Sequence, residues 1–244
     1  MSMLSHYKYV LQMQYRRSSG FLGFFAIIQI MISLGIVIGF TYLMPNPDTT
    51  SILFLSTGAP TIILIMTGLV ILPQQIATAK ADGYVEFMRT WPVSRSVILL
   101  ADTTLWLLIT IPGISIASLV AHLFYQPGYS LSWTLIPALL LIALTSIGVG
   151  YGFSYFLPTN VSMALSNILV FGALMFSPIN FPLERLPGWL QSLHAVLPIY
   201  SMAEVMRTSL ATNTFTADWA NYLNLTIWCI MGYGGAIIIL NKKE

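Results

Sequence analysis

Six long apolar runs, almost free of charge, constrain this chain more than any other feature. They cover residues 21–44, 52–72, 97–125, 131–157, 161–176 and 222–240, and the only Asp, Glu, Lys or Arg within them is Asp102. A bilayer core about 30 Å thick takes roughly 20 apolar residues as a helix, and inside it each backbone polar group must be satisfied within the segment. Runs of this length therefore read as membrane spans. The expected fold is an all-α integral membrane protein with six transmembrane helices, forming one domain over residues 1–244. Composition agrees, since 7% of the residues are charged against about 25% in a soluble domain.

The charges lie between the runs. Residues 2–17 put Met3, Leu4, Tyr7, Val10, Leu11 and Tyr15 on one helical face and Ser5, Lys8, Gln12 and Arg16 towards the other. That pattern predicts an amphipathic interfacial helix on the cytoplasmic leaflet. With cytoplasmic N- and C-termini, six spans leave Lys8, Arg16, Arg17, Lys80, Arg89, Arg95, Lys242 and Lys243 inside and only Arg185 and Arg207 outside, as the positive-inside rule requires. The expected location is the inner or plasma membrane.

Between the second and third runs lies PQQIATAKADGYVEFMRTWPVSRSV, residues 73–97, with five charged residues. Pro73 is expected to break or kink the second span. Wound as a helix, 82–91 puts Tyr84, Phe87, Met88 and Trp91 on one face and Asp82, Glu86 and Arg89 on the opposite one. Asp82 suits an N-cap, and Pro92 stops the helix just after Trp91. Before the last run, residues 177–218 carry prolines 178, 182, 187 and 198, so one straight span is excluded. Two short helices near 186–195 and 199–210 fit better, and at membrane depth they must pack in protein or line a cavity. Glu204 and Arg207, three apart, are spaced for an ion pair.

Both stretches carry a resemblance. The segment KADGYVEFMRTWPVSRSVILLAD, through Gly83, Glu86, Pro92 and Val93-Ser94-Arg95, resembles the coupling-helix region of permease subunits of ABC-2 type ABC transporters. Ser177-Pro178, Leu186-Pro187, Pro198 and the spacing Tyr200, Glu204, Arg207 resemble the block that forms re-entrant helices at the outer mouth in that family. The resemblance implies that Asp82, Gly83, Glu86, Phe87 and Arg89 contact separate ABC ATPase subunits. It implies an extracellular gate at Glu184, Arg185, Glu204 and Arg207. It also implies a second permease chain, as a homodimer or related heterodimer, and an ATP-driven exporter for an amphipathic drug, antibiotic, lipid-linked glycan or peptide.

The chain has no GxxxxGK[ST] motif, so the resemblance places ATP and Mg on the partner ATPase and leaves this chain without a bound cofactor or an enzymatic activity of its own. A single cysteine, Cys229, and scattered histidines exclude an internal disulfide and a HExxH metal site. A net charge of +2 with no basic run gives no reason to expect nucleic acid as a partner. Two polar residues lie inside spans. Asp102, only a turn or so into the third, suits either placement near a helix N-terminus or a coupling or substrate role. Asn167 in the fifth is expected to make a hydrogen bond within the bundle. Small residues at Ser146, Gly148, Gly150 and Gly152 predict close helix packing. A secondary transporter, which would need mid-membrane ion-coupling charges, and a non-transporting scaffold or immunity protein are the rival readings.

Overall fold

The computed structural model describes residues 3–39, 42 and 48–242. Six helices are long and apolar enough to cross a membrane, and three short ones join them: nine among the described residues. The membrane-length helices are α1 (Met3–Gly39), α2 (Thr49–Ala81), α4 (Arg95–Tyr125), α5 (Leu135–Phe156), α6 (Thr159–Phe176) and α9 (Trp219–Asn241). The short helices are α3 (Tyr84–Arg89), α7 (Gly188–Val196) and α8 (Pro198–Leu210). The described residues form no strand beyond an isolated bridge between Ser130 and Ala211. The all-α, six-span expectation holds.

α2 is the axis of the bundle. Its apolar stretch is 94% buried against 28% for α1 and α4, so the other helices are arranged around it. α1 lies along α4, and α9 lies along α5. The α5–α9 contact depends on missing side chains. Gly148 and Gly232 meet so closely that a Cβ at either would collide with the facing helix, and Gly150 abuts Gly68 of α2 in the same way. The small-residue row of α5 therefore serves packing on two partners at once.

Several expected boundaries change. Residues 2–17 and 21–44 were to be separate elements, yet α1 runs unbroken from Met3 to Leu34 and continues as a π-helical turn to Gly39. Ser18-Ser19-Gly20 adopts helical geometry because Tyr7, Val10 and Gln14 are held against the bundle; Tyr7 donates to Thr104 Oγ1 of α4 at 3.0 Å. The buried stripe is accordingly not the predicted apolar face, for Met3, Leu4 and Tyr15 are exposed. The expected end of the first span beyond residue 39, most of the following loop and Lys243 lie outside the described residues.

Pro73 does not break α2 either. A π-helical turn at Thr67–Ile71 precedes it, and Pro73 sits in the first turn of the α-helical stretch Leu72–Ala81. There its missing N–H is tolerated, because the wider turn has already shifted the hydrogen-bond register. Asp48 caps the other end of α2, accepting from the Ser51 N–H at 3.1 Å.

Candidate functional site

At one end of the bundle, α2 stops and α3 begins within three residues. Asp82 is the C-cap of α2 rather than the N-cap of a following helix, with its N–H on the Thr78 carbonyl. Gly83 follows with φ 71°, a left-handed conformation that glycine adopts without steric penalty. This forces the reversal from α2 into α3. The helix is thus Tyr84–Arg89, shorter than the predicted 82–91.

Its faces also differ from expectation. Val85 and Met88 are buried, while Phe87 is 57% exposed and Glu86 is exposed. The predicted apolar face of Tyr84, Phe87, Met88 and Trp91 does not pack as a unit. Instead the Tyr84, Phe87 and Trp91 rings form a small cluster, with Phe87 and Trp91 edge-on at 5.7 Å. A six-residue helix has too few turns for periodicity to decide which side it buries.

Three cations fasten this end. Arg95, in the first turn of α4, donates to the carbonyls of Met88 at 3.1 Å and of Arg89, satisfying the C-terminal carbonyls of α3. Arg17 of α1 stacks over Tyr84, 3.5 Å from the ring centroid. Burial raises the Tyr84 phenol above its ordinary pKa, and Arg17 opposes the rise. Lys80 donates to three carbonyls at the end of α5: Ser154 at 2.6 Å, Leu157 at 2.9 Å and Tyr155 at 3.1 Å. Sequence reasoning missed the partners of Lys80 and Arg17. The one available signal was that Lys80 lies in the last turn of a helix.

Asp102 of α4 lies just behind α3. Its Oδ2 accepts from the Tyr151 hydroxyl at 2.8 Å, and it lines a cavity shared with α1, α2 and α3. Asn167 does not behave as expected. It is exposed on α6, amid exposed Ile168 and Phe171, and makes no bundle hydrogen bond among the described residues.

At the opposite end, the proline-rich block folds as a 3-10 turn (Leu183–Arg185) followed by α7 and α8. His194 Nε2 bonds the Phe176 carbonyl at 2.9 Å, tying α7 to the end of α6. Arg207 is 1% exposed and pairs with Glu204. It also donates to the Ile179 carbonyl at 2.9 Å and lies over the Phe54 ring at 4.2 Å, at the start of α2. Burial pushes the Glu204 carboxyl upward, and the adjacent guanidinium opposes it; burial pulls Arg207 downward, and Glu204 opposes that. Glu184 and Arg185 are exposed on their turn and close no ion pair with Glu204 or Arg207 among the described residues. The four candidate gate residues are therefore a pair, Arg207 buried and Glu204 half-buried, and two surface charges.

A membrane-length bundle with a short helix clamped at one end and a proline-broken block at the other defines a multi-pass membrane protein. The chain belongs to the ABC-2 type transporter family, whose profile matches residues 8–211. It is therefore the membrane permease component of a transporter. That match takes in both the α3 region and the block through α8. No curated protein matches the chain.

Proposed function

We propose that this chain is the permease subunit of an ATP-driven exporter, powered by separate ABC ATPase subunits that dock on α3. The observation that carries the proposal is the exposure of Glu86 and Phe87 on a helix whose other face, Val85 and Met88, is buried and whose ends are fastened to α1 and α4. A short helix so fastened transmits force, because pushing on it moves α2 and α4 with it. ATP and Mg bind the partner ATPase. Closure of the ATPase pair tilts α3, α2 follows through the Gly83 reversal, and the outer mouth beneath α7 and α8 opens.

A second permease chain completes the pathway. Exposed apolar residues on α6 are at home in lipid, but an exposed amide in mid-span is not. Pairing of α6 with a second copy or a relative would give Asn167 a partner. The α3 end faces the cytoplasm, where the basic residues concentrate, with the protein in the inner or plasma membrane. An amphipathic cargo, such as a drug, antibiotic, lipid-linked glycan or peptide, fits a bundle so poor in charge.

Co-purification tests the reading. An ABC ATPase is expected to co-purify with the tagged chain from native membranes, and its ATP hydrolysis to depend on the chain. Isolation of a chain that transports on an ion gradient without any ATPase would contradict it.

A further inference from the structure

Behind α3 lies a cavity of about 370 Å³ bounded by α1, α2, α3 and α4, with Tyr155 of α5 on its wall. Asp102, Trp106, Phe25, Tyr84, Gln14 and Arg17 are among the side chains on its walls. Asp102 sits seven residues into α4, so its Cα is about 10 Å along the helix from Arg95. An ionised carboxylate accepts about four hydrogen bonds. Tyr151 supplies one at 2.8 Å and the Trp106 side chain another, while Arg17 attracts Asp102 from a distance without closing an ion pair among the described residues. A carboxylate set this far into a span is costly unless something cationic answers it.

The remaining walls say what kind of cation. Trp106 and Phe25 form one aromatic side, their rings 6.0 Å apart, and aromatic faces attract cations and apolar bulk alike. Gln14 is almost fully buried and brings an amide to the wall. Asp82, exposed where α2 ends, adds a second carboxylate to the lining. Arg17 is the one cation in the lining; its guanidinium is stacked on Tyr84 and answers Asp102 only from a distance.

We propose that this cavity binds an aromatic or amphipathic organic cation, an ammonium-bearing ligand, with Asp102 as its charge partner. Identifying that ligand as cargo rests on the exporter reading; the binding itself does not. The shared chemistry admits a free amphipathic amine or the ammonium of a phospholipid headgroup. Because α3 and Arg17 form part of the wall, an occupant here would sense any movement of α3.

The test is ethidium binding to the purified full chain in dodecyl maltoside, followed by fluorescence without ATPase or nucleotide, so that failure of the exporter reading leaves it intact. Asp102→Asn keeps an acceptor for Tyr151 and is expected to weaken ethidium about tenfold, whereas removing the like charge in Arg17→Gln is expected to tighten it about threefold. Binding of anilinonaphthalene sulfonate, an aromatic anion, should not weaken in Asp102→Asn. Opposite signs for the two variants separate a charge effect from general damage. Displacement of ethidium by added phosphatidylethanolamine assigns the native occupant to a lipid headgroup, and lack of displacement assigns it to a free amine. No ethidium binding, equal affinity in wild type and Asp102→Asn, or weakening in both variants would overturn the proposal. If Asp102→Asn does not fold, Arg17→Gln still decides, since unchanged or weaker binding overturns it.

Discussion

The ammonium of Lys80, one residue from the end of α2, lies 2.6 Å from the main-chain carbonyl oxygen of Ser154 near the end of α5. Two more carbonyls, of Tyr155 and Leu157, share it. One side chain thereby caps a neighbouring helix at its negative end and fixes the helix that leads into α3. Lys80→Met keeps much of the stem but leaves three partly buried carbonyls short of a donor. It is expected to lower stability by about 1–3 kcal/mol, read as thermal unfolding in detergent. An unchanged melting temperature would show the clamp to be idle.

Arg207 joins α8 to Glu204, to the Ile179 carbonyl and to the Phe54 ring. Breaking a buried pair from one side costs about 3–5 kcal/mol, and the half-buried Glu204 left behind sets the cost here towards the lower end. Arg207→Gln is therefore expected to reduce folded yield and melting temperature sharply. Arg185→Gln, at an exposed position, should stay within about 0.5 kcal/mol of the parent. If Arg207→Gln melts like the parent and alters transport alone, the pair is a gate and not a structural tie.

Asn167 on α6 provides a test of pairing between permease chains. With Cys229 replaced by Ser, a cysteine at position 167 is expected to form oxidant-induced dimers in membranes. A cysteine at the exposed Leu119 of α4 serves as the comparison and should cross-link poorly. Dimers at 119 and none at 167 would move the interface away from α6.

Orientation is tested in intact cells. Cysteines replacing Asp48 and Asn213, both exposed, should react with a membrane-impermeant maleimide. One at Asp82, at the α3 end, should not until the membrane is opened. Labelling of position 82 in sealed cells would invert the topology.

The spans were legible because lipid imposes one simple rule, long runs without charge, and residues 97–125 and 222–240 come within three residues of α4 and α9 at each end. The two halves of the proline-rich block were legible too, since Pro187 and Pro198 sit at helix starts where proline is favoured. What failed were the decisions that tertiary contacts make. Ser18-Ser19-Gly20 looks like a break, yet packing of Tyr7 and Gln14 keeps α1 whole. Asp82 looks like an N-cap, yet Gly83 next to it takes the left-handed turn and leaves Asp82 closing α2. Asn167 looks like a bundle contact, yet it faces outward. Arg207 is spaced for a surface pair with Glu204, and only the fold shows that Ile179 and Phe54 enclose it. Of the candidate coupling residues, sequence found the segment but not the face, because six residues of helix cannot declare one.

If α3 is the docking helix, Glu86 and Phe87, its exposed side chains, are the ones to meet the ATPase. Truncating a desolvated charge or aromatic anchor at such an interface costs about 2–4 kcal/mol. The most direct measurement is an ATPase pull-down, with chain-dependent ATP hydrolysis, in matched membranes carrying either the parent chain or Glu86→Ala with Phe87→Ala. Both chains should insert equally, since neither residue is buried. The double variant should retain at least tenfold less ATPase and lose most chain-dependent hydrolysis. Equal ATPase capture and equal hydrolysis by the two chains would contradict docking on α3.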